Sequence, residues 1–155
     1  MEQINTKNQN LYNSSIEIGI RTLVLLNEFY PTQIDITQLV WFNHVVVHTE
    51  DFGGPQSLHP RLDDRAGELA VLRSLVQDGL IMMQRFNLID SKNTHDGIFY
   101  TAAEEGSPFI NLMTSKYLMS LIEKAKWVAN DFFALGEENI KKAIQAKIDM
   151  LRFGS

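Results

Sequence analysis

Residues 48–60 read His-Thr-Glu-Asp-Phe-Gly-Gly-Pro-Gln-Ser-Leu-His-Pro and join two strongly apolar segments. Gly53 and Gly54 open φ values that other residues resist, while Pro55 and Pro60 fix their own φ and push Gly54 and His59 toward extended backbone. The chain is therefore bent in a defined way here. The stretch exceeds a minimal helix connection and carries two histidines and an acid pair, Glu50 and Asp51, the composition of a site or a docking surface.

On its N-terminal side, Ser14-Ser15-Ile16-Glu17 has capping-box spacing, and Ile16, Ile20, Leu23 and Leu26 recur at helical intervals until Tyr30-Pro31 ends the segment. Ile18, Val24, Leu25 and Phe29 occupy the opposite side, so this first helix is apolar nearly all round and needs cover on more than one face. Asp35 is a suitable N-cap for a second helix, Ile36 to about His48. There Leu39, Val40, Trp41, Phe42, Val45, Val46 and Val47 crowd almost every position. The β-branched run suits a strand, but the cap and the length favour a helix.

Beyond the loop, Asp63 or Asp64 can cap a third helix through Glu68, Leu69, Leu72, Leu75 and Val76, continuing past Gly79 to Phe86. The period then changes. Residues 87–90 and 98–101 are strand candidates separated by Ser-Lys-Asn-Thr-His-Asp-Gly, with a turn at Asp96-Gly97, which predicts one β-hairpin at about 86–101. Thr101-Ala-Ala-Glu104 has capping-box spacing, Gly106 is expected to close a brief helical turn, and Ser107-Pro108 to start another. Leu118, Leu121, Ile122, Ala125, Val128, Ala129 and Phe132 form one amphipathic stripe. Gly136 breaks it before a second, Ile140, Ala143, Ile144, Ile148 and Leu151. The expected fold is mainly α (α+β), a winged helix-turn-helix-like domain with one hairpin wing and two additional C-terminal helices at about 115–153. Residues 1–12 read as a disordered polar tail and 13–155 as a single domain.

Fourteen Lys and Arg against nineteen Asp and Glu leave a net charge of −5, which argues against affinity built on phosphate neutralisation. Residues 1–115 hold seven basic and fourteen acidic side chains, and residues 116–155 seven basic and five acidic, so any nucleic-acid contact would lie toward the C-terminal end. A winged-helix transcription regulator is the natural alternative. Its recognition helix would offer Arg65 and Arg73 against Asp64, Glu68 and Asp78, and its wing Lys92 and His95 beside Asp90 and Asp96, a poor surface for the major groove or for phosphates.

The chain contains no cysteine, which excludes disulfides, thiolate ligands and Cys nucleophiles and suits a reducing compartment. A polar start without a hydrophobic core region argues against a secretory signal, and no run approaches the roughly 18 residues of a membrane span. A cytoplasmic protein is the simplest expectation.

His44 and His48 stand four apart and can share one helical face, with His59 and Asp51 beyond. No Glu follows His44 directly, so the metalloprotease motif is absent, and the pair reads more readily as packing and hydrogen-bonding material than as ligands. Ser57 and His59 near Asp51 lack a nucleophile elbow, and Gly53-Gly54-Pro55 lacks the Lys and Ser/Thr of a phosphate loop. A small metal-dependent hydrolase would need His48, Asp51 and His59 to converge. No catalytic residue, cofactor or metal is assigned.

The chain resembles the middle component, type two, of three-component ABC ATPase systems, bacterial conflict systems that include Lamassu-type anti-phage and anti-plasmid defence. The resemblance covers about residues 12–153. It rests on Tyr12-Asn13-Ser14 leading into Glu17-Ile18-Gly19-Ile20-Arg21, on Pro31 and Leu39-Val40-Trp41-Phe42, and above all on Val47-His48 through Asp51-Phe52-Gly53-Gly54-Pro55-Gln56-Ser57-Leu58-His59-Pro60. Arg65-Ala66-Gly67-Glu68, Leu80, Gly97-Ile98-Phe99-Tyr100-Thr101-Ala102, Pro108-Phe109 and Trp127-Val128 continue it. Trp41 and Asn43 stand where the family pattern suggests a Tyr and an Asp.

The resemblance implies a non-catalytic, winged-helix-like adaptor between an SMC-like ABC ATPase and an effector subunit, often a nuclease. The apolar excess of the first two helices independently suggests that part of their surface meets a partner. The residues expected at such an interface are Trp41, Phe42, His48, Asp51, Gly53, Gly54, Pro55, Ser57, Leu58 and His59.

Overall fold

A computed structural model describes residues 14–59 and 65–153. The tail expected over 1–12 and the caps expected at Asp63 or Asp64 lie outside the described residues. In chain order the elements are α1 (Ser15–Phe29), β1 (Ile34–Asp35), α2 (Ile36–Val47), a single-turn 3-10 helix (Thr49–Phe52), α3 (Arg65–Arg85), β2 (Ile89–Thr94), β3 (Gly97–Ala102), α4 (Gly106–Asn111), α5 (Lys116–Trp127) and α6 (Glu137–Phe153). The fold is mainly helical, with a small antiparallel sheet of strand order β1-β3-β2.

α1 is the axis of the molecule. Ser14 caps it, its hydroxyl accepting the Glu17 amide at 3.4 Å, and α2, α3 and α5 pack around it. Its all-round apolarity is thereby explained, since Ile18, Leu23, Leu25 and Leu26 are fully buried by different neighbours at a gain of about 1.5–3 kcal/mol each. α2 begins with the expected cap, now a complete capping box: Asp35 Oδ1 accepts the Gln38 amide at 2.8 Å, and the Gln38 side chain accepts the Asp35 amide at 3.2 Å. Val45, Val46 and Val47 sit in this helix with no exposure, so burial overrides the β-branched preference.

α3 runs unbroken through Gly79 because that glycine is where α3 meets α1. A Cβ at Gly79 would lie 2.8 Å from the Gly19 nitrogen and 2.9 Å from its Cα. Asn87, at φ 59°, ends the helix; the Leu88 amide donates back to the Met83 carbonyl at 2.9 Å, closing the last turn as a left-handed residue does.

The hairpin differs from its expected boundaries. Ser91 to Thr94 belong to β2, and Thr94 pairs with Gly97, so the turn contracts to His95 and Asp96. Thr94 stabilises it, donating its hydroxyl to the Gly97 carbonyl at 2.9 Å and accepting the Asp96 amide at 3.2 Å. β1, too short to register as a period, pairs Ile34 with Tyr100 and Asp35 with Phe99. β2 is left as an edge whose residues after Ile89 are all exposed.

Two local expectations fail. Thr101 lies in β3 and does not cap a helix, and Gly106 opens α4 instead of closing a turn. The first C-terminal stripe also ends sooner as regular helix: α5 stops at Trp127, and residues Val128–Phe132 widen into one π turn before a short 3-10 turn and Gly136. That widening carries Phe132 into the core, its ring centroid 5.5 Å from Phe52 and 6.4 Å from Phe42.

Candidate functional site

The loop after α2 is tied down along its length. Thr49 Oγ1 donates to the Pro55 carbonyl at 2.7 Å, and the Gly54 amide to the Thr49 carbonyl at 2.9 Å. Ser57 Oγ accepts the Glu50 amide at 3.1 Å, and the His59 amide donates to the Val47 carbonyl at 3.1 Å. Gly53 takes the left-handed conformation, φ 81°, as the sequence demands. Gly54 has another role: a Cβ there would lie 2.7 Å from two atoms of the Trp127 indole. The loop thus docks under α5, and two of the stretches that carry the family resemblance touch.

Of the residues expected at an interface, Phe42 is fully buried and 4.9 Å, centroid to centroid, from Phe29, so it holds no surface for a partner. His48 is 1% exposed and likewise faces inward. Adjacent helical positions point about 100° apart, and here Trp41 takes the outer side. Gly53 and Pro55 are exposed, while Trp41, Asp51, Gly54, Ser57, Leu58 and His59 are half-buried.

The histidines do converge. His44, in the last turn of α2, and His48, which caps it, have ring centroids 4.8 Å apart at a 46° tilt, and the His59 ring stands 6.2 Å from His48. Glu68, on the first turn of α3, reaches between the first two: Oε2 lies 3.1 Å from His44 Nδ1 and Oε1 3.4 Å from His48 Nε2. Burial alone would raise the Glu68 carboxyl, but the two imidazoles beside it, His44 and His48, outweigh this and hold it well below the usual carboxylate range. Spacing offered His44 and His48; Glu68 was missed because its approach depends on how α3 is turned against α2.

From His59 the polar cluster continues to α5 and α1. His59 Nε2 and the Tyr117 hydroxyl are 2.8 Å apart, and the Glu17 and Arg21 charges both act on the Tyr117 phenol. Arg21 is 1% exposed; burial lowers its pKa, opposed by Tyr117, Glu17 and Glu68. Burial, then the Arg21 charge, pushes His59 down to about 4, so its ring is neutral near pH 7. Burial and the Glu17 charge raise the Tyr117 phenol.

A cleft of about 550 Å³ lined by His48, Glu50, Asp51, Gln56, Ser57, Leu58 and His59 opens onto this cluster. Two imidazoles and a carboxylate on its inner side can bind protons or a divalent cation. Ser57, whose hydroxyl accepts the Glu50 amide, serves the loop.

The fold defines a small, mainly helical protein with a short antiparallel sheet and a buried polar cluster under a glycine loop. The chain belongs to the family described as ABC-three component (ABC-3C) system Middle Component 2, whose model matches residues 11–152. Membership makes the other components of such a system its partners. No curated protein and no solved structure matches the chain. No helix among the described residues is long and apolar enough to cross a membrane.

Proposed function

We propose that this chain is the non-catalytic adaptor of a bacterial anti-phage or anti-plasmid complex of the Lamassu type. In this reading it joins an SMC-like ABC ATPase to an effector, often a nuclease, in the cytoplasm. The family match over residues 11–152 carries the reading. Residues 13–155 act as one unit, in which α1 to β3 follow winged-helix order and α5 and α6 extend it.

The charge balance and the exposed, polar β2 edge favour a protein-binding use of this module, with DNA reached through the complex. The half-buried Trp41, Asp51, Ser57, Leu58 and His59, together with the exposed rim at Gly53 and Pro55, form the interface on the loop side. Exposed Ile81 and Phe86, 50% and 65% accessible, supply apolar anchors on the opposite end of α3.

Co-expression with the neighbouring genes, followed by size exclusion and mass analysis, tests this. A stable complex containing an ATPase and an effector is expected, and a chain that elutes alone refutes the reading. The purified chain should show no nuclease, ATPase or hydrolase turnover. Activity abolished by His48→Ala or His59→Ala would make it an enzyme instead.

A further inference from the structure

His44 presents Nδ1 from the last turn of α2 and His48 presents Nε2 from the residue that caps it, and Glu68 presents its carboxylate from α3. All three ligand atoms lie within 4.8 Å of one another. A tetrahedral zinc with bonds of about 2.0–2.1 Å needs its ligand atoms roughly 3.3–3.4 Å apart. The two carboxylate-to-imidazole distances, 3.1 and 3.4 Å, already bracket that value. Only the gap between the two rings has to close further, by a side-chain adjustment within one helix face.

The chemistry of the set points the same way. Two imidazoles with one carboxylate suit a borderline first-row metal and do not suit calcium or magnesium, which take oxygen ligands. Both rings are 1% exposed and Glu68 is 16% exposed, so a bound ion would be largely shielded from competing water. Access exists: His48 lines the cleft together with Glu50 and Asp51, whose acidic side chains attract a cation to the mouth. His59 is held to the Tyr117 hydroxyl, which leaves the fourth position to a water from the cleft.

We propose that His44, His48 and Glu68 form a zinc site that clamps α2 to α3. The inference stands apart from the adaptor role, since it concerns only how two helices of this chain are joined.

The full-length chain, stripped by chelator and dialysed metal-free, should take up one equivalent of Zn²⁺ by equilibrium dialysis. It should also give visible d–d bands of a low-symmetry site with Co²⁺. At about 100 times the dissociation constant, Zn²⁺ should raise the melting temperature by roughly 5–10 °C. Glu68→Gln should keep its cooperative melt and lose affinity by more than about 100-fold, while His95→Gln, on the hairpin turn, should bind as wild type. Wild-type chain that takes up less than stoichiometric zinc at micromolar concentration overturns the proposal whatever the variants do. So does zinc uptake that survives the double change His44→Gln/Glu68→Gln. Should Glu68→Gln fail to fold, the Co²⁺ spectrum of the wild-type chain decides: nitrogen ligation supports the site, and a spectrum of hexaaqua cobalt refutes it.

Discussion

Gly54→Ala isolates one contact with one cause. The added methyl would meet three atoms of the Trp127 indole at 2.7–2.8 Å, where ordinary contact begins near 3.4 Å. The ring must therefore retreat by roughly 0.7 Å in a close-packed neighbourhood, yet it leans on Phe132, 5.8 Å away between centroids. Overpacking of this kind costs about 1–3 kcal/mol, which for a chain of this size lowers the melting temperature by about 2–12 °C. Gly53 is the control for backbone strain. No atom lies within 4 Å of a Cβ there and its φ is 81°, so Gly53→Ala should lose about 1–2 kcal/mol and Gly53→Asn less. Thermal melts followed by circular dichroism, with the double variant Gly54→Ala/Trp127→Leu, complete the cycle. Shrinking the ring should relieve the clash, giving a coupling of about 0.5–3 kcal/mol. Additive losses in the double variant, or a Gly54→Ala protein that melts with wild type, would refute the docking of the loop under Trp127.

Gly79→Ala should lower the urea midpoint without changing the m-value. The helix-propensity gain of about 1 kcal/mol is outweighed because the new methyl would press on Gly19 backbone at 2.8–2.9 Å. Phe42→Ala should cost about 3–5 kcal/mol in the isolated chain, measured by denaturant titration, since that ring is core and not interface. Acid should destabilise the fold early: His59 is held to about 4 in the folded chain against about 6.5 unfolded. Its contribution is therefore complete above pH 6.5 and lost as pH falls toward 4. After discounting for its partial exposure the loss is about 2 kcal/mol, and His59→Gln should flatten that part of the stability profile. Glu68, held low, adds its own loss below about pH 4.3.

Much of the fold was legible where cause and effect are neighbours in sequence. Asp35 caps α2 as its place before the apolar run predicts, and Asp96-Gly97 marks the hairpin turn. What was illegible depends on how distant elements meet. No local rule places Trp127 over Gly54 or Glu68 between two histidines, because both require the rotation of one helix against another. Glycines inside two expected helices, Gly19 and Gly79, hint at close approach, but no local rule pairs one with the other. When a helix is apolar all round, periodicity also cannot choose between Phe42 and Trp41, and only packing assigned one inward and one outward. β1 escaped because two residues have no period.

The sheet's outer edge has a consequence for life at cellular concentrations. β2 presents Asp90, Ser91, Lys92, Asn93 and Thr94, all exposed, along the side of the sheet that no strand among the described residues covers, and the opposite edge is a strand of only two residues. Polar, charged and very short edges resist strand-to-strand growth between copies. Exposed apolar side chains such as Ile81 and Phe86 are therefore not flanked by a long bare strand that could template aggregation.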